Sequence, residues 1–150
     1  MGVNLGIPVK SRTIDMQFMR YINLFSRKCN VMTKNCFVYN NQIFFVVPRS
    51  QVSKAIGKDA VNIKSLRDIL RRKIRVIAAP SGEGAEAISE FVESIVSPIE
   101  FNKLEIRDYV VTITAGRQSK AALIGRNRAR EKELTEILRN NFGIMRVRIA

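Results

Sequence analysis

The sequence has no histidine and no tryptophan, only two cysteines and four prolines, and just three acidic residues among its first 78. Without histidine there is no Ser–His or Cys–His nucleophile pair, and the commonest metal ligand is missing. Cys29 and Cys36 stand seven apart with no further Cys or His, so they supply at most half a zinc site; buried or incidental thiols are the simpler reading. No apolar stretch approaches the roughly 20 residues needed to cross a bilayer. The start, Met1-Gly2-Val3-Asn4-Leu5-Gly6, has glycine where a myristoylation signal has Ser or Thr, and it lacks the apolar core of a secretory signal. These absences predict a cytoplasmic, non-enzymatic protein in a reducing compartment. It is expected to have no targeting segment, metal, cofactor or small-molecule substrate, and no association with a membrane.

What the chain does have is positive charge. Its 26 Lys and Arg against 13 Asp and Glu give +13 and a pI near 10.5 over 150 residues. Such a field attracts polyanions, nucleic acid first among them. The excess is uneven: residues 1–78 carry a net +12 and residues 79–150 only +1.

Hydrophobic spacing gives the order of elements. Ile14, Phe18, Tyr21, Ile22 and Phe25 recur at three and four, predicting a helix from Thr13 to about Lys28 with N-caps in Ser11-Arg12-Thr13. Cys36–Tyr39 and Gln42–Val47 are rich in β-branched and aromatic residues and flank Asn40-Asn41, which predicts a hairpin ended by Pro48. A short helix over Ser50–Ile56, the loop Gly57-Lys58-Asp59-Ala60, a helix over Val61–Arg72 burying Ile63, Leu66, Ile69 and Leu70, and a strand over Ile74–Ala78 complete the unit.

The second half repeats that order. A helix over Ala85–Val96 turns Ile88, Phe91, Val92 and Ile95 inward and Glu86, Glu90 and Glu93 outward, and Pro98 stops it. Strands over Lys103–Ile106 and Tyr109–Ala115 are expected next, then a helix over Ser119–Ile124, the loop Gly125-Arg126-Asn127-Arg128, a helix over Ala129–Asn140 and a strand over Ile144–Ile149. At an offset of 68, Arg49, Ile56, Gly57, Lys64, Leu66, Ile69, Leu70 and Arg71 fall on identical residues from Arg117 to Arg139. Matching identities and matching order together indicate an internal duplication with a boundary near Pro80-Ser81-Gly82, giving domains 1–79 and 80–150.

The chemistry concentrates in the two loops. A glycine between a short and a long helix lets the backbone turn sharply and come close to a phosphate, while the next helix offers free N–H groups. Lys58 and Arg126 add charge. One such glycine alone is more simply a helix C-cap; two at equivalent places in a basic repeat favour a backbone clamp.

The repeated helix–strand–strand–helix–loop–helix–strand order, with Ala55-Ile56-Gly57-Lys58 and Leu123-Ile124-Gly125-Arg126 at the loops, resembles two type II KH domains in tandem. With nothing else attached, the arrangement is similar to the archaeal NusA-like transcription factors, over about residues 12–150. The resemblance implies an α+β fold in which each module packs a three-stranded mixed sheet against three helices and holds about four nucleotides of single-stranded RNA beside its loop. It also implies a part in transcription termination or antitermination alongside RNA polymerase. The signature's second glycine is replaced by Ala60 in the first loop and by Arg128 in the second. Alanine is a mild change; arginine either crowds a phosphate or contacts it.

The expected RNA contacts are therefore Ile56, Gly57, Lys58, Asp59 and Ala60 with Lys54, and Lys64, Arg67 and Arg71 on one face of the following helix; Gly125, Arg126, Asn127 and Arg128 serve the second module. A basic helix face is often only a solvated one, and gains meaning here beside Gly57 and Lys58. Arg126, Arg128, Arg130 and Lys132 cluster where cations oppose a helix dipole, an arrangement suited to a bound anion and partly explained by Glu131 and Glu133.

Two motifs lead nowhere. Gly82-Glu83-Gly84-Ala85-Glu86-Ala87, with Glu105 beyond it, fits a dinucleotide fingerprint, but Glu83 and Glu86 put negative charge where pyrophosphate belongs. A linker explains its glycines more simply. The residues before Gly57-Lys58 lack the earlier glycine of a P-loop. Two other readings share the composition: a module docking on RNA polymerase with degenerate loops, and a ribosome-associated KH protein.

Overall fold

The computed structural model describes residues 9–33 and 35–150, with side chains from Met16 onward. The expectation for Met1–Gly6 lies outside the described residues, as does the placement of the Ile14 side chain. Among the described residues, no helix is long and apolar enough to cross a membrane.

The order of elements is the one read from the sequence: α1 (Val9–Cys29), β1 (Asn35–Tyr39), β2 (Gln42–Val47), α2 (Val52–Ile56), α3 (Val61–Leu70) and β3 (Lys73–Ala78), then α4 (Ala85–Val96), β4 (Lys103–Arg107), β5 (Val110–Thr114), α5 (Arg117–Ile124), α6 (Ala129–Phe142) and β6 (Arg146–Ile149). Two three-stranded mixed sheets result, ordered β1-β2-β3 and β4-β5-β6, an α+β arrangement consistent with two tandem KH-like domains. The described chain divides into two compact units, one running to Phe37 and resuming over Ile43–Val76, the other formed by Val38–Gln42 and Ile77–Ala150.

In the first unit the buried face of α1 lies on the sheet: Phe25 is fully buried and stacks on Phe45 with centroids 4.2 Å apart. On the opposite face of β2, Phe44 stacks on Phe37 at 5.2 Å and carries the Arg75 guanidinium 5.2 Å from its centroid. Buried Thr33 donates to the Val46 carbonyl oxygen at 2.6 Å, satisfying its hydroxyl inside the core. Cys29 and Cys36 are buried free thiols, as the simpler reading had it.

In the second unit β5 pairs antiparallel with β4 and parallel with β6, in a register that sets Arg107 opposite Val110 and Val110 opposite Arg146. Val111, Ile113 and Val147 turn inward to meet Leu123, Leu134 and Leu138, all essentially buried. On α4, Ile88, Phe91, Val92 and Ile95 are buried while Glu86, Glu90 and Glu93 are exposed, as the spacing predicts.

Several boundaries differ. Helix α1 begins at Val9, so Ser11-Arg12-Thr13 lie inside it and do not cap it; nothing between Val9 and Thr13 in the sequence breaks a helix. Helix α3 stops at Leu70 because Arg71 adopts the left-handed conformation (φ 59°) and gives its N–H to the Arg67 carbonyl oxygen at 2.8 Å. Ile69, expected in the core, is 50% exposed, whereas its counterpart Ile137 is 4% exposed. Helix α6 runs one turn further, to Phe142, and Asn141 reaches back to the Ile137 carbonyl; α3 has no such turn. Helix α5 begins at Arg117, directly after Gly116. Tyr109 belongs to the β4–β5 turn with Asp108, both at positive φ (65° and 51°), matching Asn41 and Asn40 at the same offset of 68. Strand β6 begins at Arg146, because Gly143 ends α6 in a left-handed cap before it.

Candidate nucleic-acid interface

The two loops are backbone copies. Gly57 and Gly125 have φ/ψ of 83°/166° and 74°/172°, a region that L side chains hardly enter. Asp59 and Asn127 both have φ 55°, and Ala60 and Arg128 have φ 58° and 61°. Each loop closes with an N–H of its fourth residue donated to the glycine carbonyl, at 3.0 Å for Ala60 and 3.2 Å for Arg128. Two successive left-handed residues cost energy in L-amino acids, roughly 1–2 kcal/mol each. The chain pays that cost twice, in the same place.

The glycines are also required by space. A Cβ on Gly57 would lie 2.9 Å from Asn62 Nδ2, and one on Gly125 would lie 2.6 Å from Arg130 Cγ and 3.0 Å from the Arg130 backbone nitrogen. Asn62 and Arg130 are equivalent at the offset of 68, but they act differently. Asn62 Nδ2 donates to the carbonyl oxygens of Ala55 (3.1 Å) and Lys54 (3.4 Å), tying α3 to the last turn of α2. Arg130 instead pairs with Glu133 at 2.9 Å. In the sequence Asn62 carries no signal beyond an amide five residues after the loop glycine.

The first loop brings together most of its expected partners. Lys54, Lys58, Asp59, Lys64 and Arg67 are exposed, Ile56, Gly57 and Ala60 half-buried, and none of the four cations makes an ion pair among the described residues. Arg71 is exposed but lies in the left-handed cap beyond α3, so it does not continue the Lys64/Arg67 helix face. In the second loop Arg126, Asn127 and Arg128 are exposed, and Arg128 is held 3.1 Å from Glu131. The dipole problem at the start of α6 is thus met by carboxylates: Glu131 takes Arg128 and Glu133 takes Arg130. The equivalent positions in the first module are Ile63 and Ser65, which carry no charge.

The fingerprint-like Gly82–Ala87 segment bends into α4, with Gly84 at φ 93° and exposed Glu86 in the helix's first turn. That carboxylate stands where the pyrophosphate of a dinucleotide would need the helix N-terminus.

Among known proteins, no family model matches the chain. Three archaeal proteins named "Probable transcription termination protein NusA" do. The one from Methanocaldococcus jannaschii is 22% identical over 132 residues, 85% of this chain and 69% of its own length. That from Methanococcus vannielii is 28% identical over 108 residues, 69% of this chain and 60% of its own length. That from Halococcus morrhuae is 21% identical over 141 residues, 92% of this chain and 98% of its own length. The crystal structure of APE1850 superposes with a TM-score of 0.64 and 26% identity, covering 88% of this chain and 96% of that one. The chain is therefore similar, over most of its length, to archaeal proteins that carry the name NusA.

Proposed function

We propose that this chain is a NusA-like transcription termination or antitermination factor that binds single-stranded RNA and acts with RNA polymerase in the cytoplasm, without catalysis. Its two modules, residues 1–79 and 80–150, are read as type II KH domains. The observation that carries the RNA reading is the repeated loop: the same glycine, the same pair of left-handed residues and a cation after each glycine, at one offset. Turns built on left-handed residues are a common way for backbone N–H groups to receive an anion, and exposed Lys58 and Arg126 stand in these two turns. The first loop is the primary contact, since its half of the chain holds +12 of the +13 net charge. The part in transcription termination rests on the names of the relatives, and the polymerase partner on the resemblance of the sequence to NusA-like factors.

The test is binding of a short unstructured RNA by fluorescence anisotropy. Reversing Lys54, Lys58 and Lys64 to Glu together is expected to abolish most affinity, and the wild-type affinity is expected to fall steeply with salt. Unchanged binding in the triple variant would refute the reading. A polymerase pull-down with and without nuclease separates RNA-mediated from direct association, and a partner retained after nuclease would favour a docking module.

A further inference from the structure

The near-neutral charge of the second half conceals a segregation. Helix α4 carries Glu86, Glu90 and Glu93 and no cation, while on α6 Glu131, Glu133 and Glu136 are balanced by Arg130, Lys132 and Arg139. The sheet is different. Strand β6 reads Arg146-Val147-Arg148-Ile149 and β4 reads Lys103-Leu104-Glu105-Ile106-Arg107, alternating exposed and more buried residues. The register joins the exposed members into one face: Arg107, Val110 and Arg146 form one row, Glu105, Thr112 and Arg148 the next, with Lys103 and Thr114 beyond. All four cations on this face are exposed. Lys103 sits 3.7 Å from Glu105, while Arg107, Arg146 and Arg148 have no ion-pair partner among the described residues.

We infer that this open sheet face, with Arg107, Arg146 and Arg148 flanked by Tyr109, is a second binding site for single-stranded RNA, separate from the loops. Like charges gathered on one face repel and persist more readily where a polyanion meets them. Their spacing suits a strand's backbone: Arg146 and Arg148 are about 6.6 Å apart along β6, and Arg107 and Arg146 are about 9.5 Å apart across Val110.

What favours RNA over an acidic protein is the aromatic at the edge. Tyr109 is 65% exposed, and its carbonyl accepts the Met145 N–H at 2.8 Å, which fixes it beside the start of β6. Met145 is itself 64% exposed. A tyrosine held in the open next to arginines offers a base a stacking surface while the guanidiniums take phosphates. Two carboxylates oppose this: Asp108 in the same turn, and exposed Glu105 on the face itself, paired with Lys103.

The site shares its ligand class with the proposed function, and the test separates the two. Anisotropy is measured with the full chain on a labelled unstructured RNA of 20 nucleotides and on one of 4. The Arg107→Gln/Arg146→Gln/Arg148→Gln variant, checked for an unchanged thermal melt, is expected to bind the longer RNA about tenfold more weakly. It should also lower the slope of log affinity against log salt by about 2, as for three phosphate contacts on a single strand. It should leave the 4-mer unaffected. Tyr109→Ala should weaken the longer RNA about fivefold with the salt slope unchanged. A triple variant that binds the 20-mer like wild type, with the same slope, overturns the inference whether or not the loops bind. Should that variant lose binding only to an oligo-glutamate peptide, the face serves an acidic protein and the inference also falls. Wild-type protein that binds neither RNA overturns this site and the loop reading together.

Discussion

Asn62 reaches back across the first loop to donate its side-chain N–H to the Ala55 carbonyl oxygen at 3.1 Å, directly beneath Gly57. The contact fastens the turn after the loop to the turn before it, so the loop is held at both ends by a side chain as well as by its backbone. The equivalent Arg130 makes no such tie and turns to Glu133.

Replacing Asn62 by Ala should therefore cost about 1 kcal/mol of stability, the ordinary worth of one hydrogen bond. Affinity for a short RNA should fall with it, because the loop loses its preset shape. Asn62→Asp should be worse, since a carboxylate cannot donate to the two carbonyls it would face. Thermal melts and anisotropy on both variants check this; equal affinity across wild type and both variants would count against the tether.

Ala60 and Arg128 stand where the KH signature has glycine, and each occupies a left-handed conformation, φ/ψ 58°/31° and 61°/23°. Glycine enters that region without the penalty a Cβ brings. Ala60→Gly is expected to stabilise the chain by about 1 kcal/mol. Arg128→Gly should gain less, because it also gives up the pair with Glu131, itself worth at most about 1 kcal/mol at the surface. Urea denaturation of the two variants gives the ranking directly.

The architecture was legible because the sequence states it twice. Gly57 and Gly125 and the paired helices around them recur at one spacing, so each copy supports the reading of the other, whereas the turn at 108–109 that matches 40–41 shows only in the structure. The boundaries that differ do so where a residue without a propensity signal takes a special conformation: Arg71 ends α3 in a left-handed cap that would be expected of glycine, as Gly143 does in α6. Ile69 looked like core because its period fits a helix face, but periodicity cannot report whether a further helical turn follows to cover it. The charge count misled differently. A net of +1 averages an acidic α4 with a basic sheet face, although the alternation in Arg146-Val147-Arg148-Ile149 already places both arginines on one side.

Burial pushes the Cys29 thiol up to about 11 and the Cys36 thiol up to about 12, from an ordinary 9.0. The raised values mean that the unfolded chain loses these protons at lower pH than the folded one. Their contribution to stability is complete below pH 9 and is lost as the pH rises through about 11 to 12. Denaturation curves taken from pH 8 upward should show this decline, shallower in Cys36→Ala. At pH 8 iodoacetamide should leave both thiols unmodified until the protein is unfolded.

The two loops share a backbone but not an electrostatic setting, and that difference ranks them. Around Gly125 the arginines are already answered: Arg128 lies 3.1 Å from Glu131 and Arg130 lies 2.9 Å from Glu133. A phosphate arriving there must compete with two carboxylates. Around Gly57 those positions are Ile63 and Ser65, and the acid nearest in sequence is Asp59, exposed within the loop itself. Lys58→Glu should therefore weaken RNA binding more than Arg126→Glu does. Asp59→Asn, which copies Asn127 of the second loop, should strengthen it. Glu131→Gln with Glu133→Gln should raise the second loop's share, so that Arg126→Glu in that background costs more than it does in the wild type. Anisotropy on these variants at one fixed salt concentration measures the ranking, and an equal loss from Lys58→Glu and Arg126→Glu would show that the carboxylates do not set it.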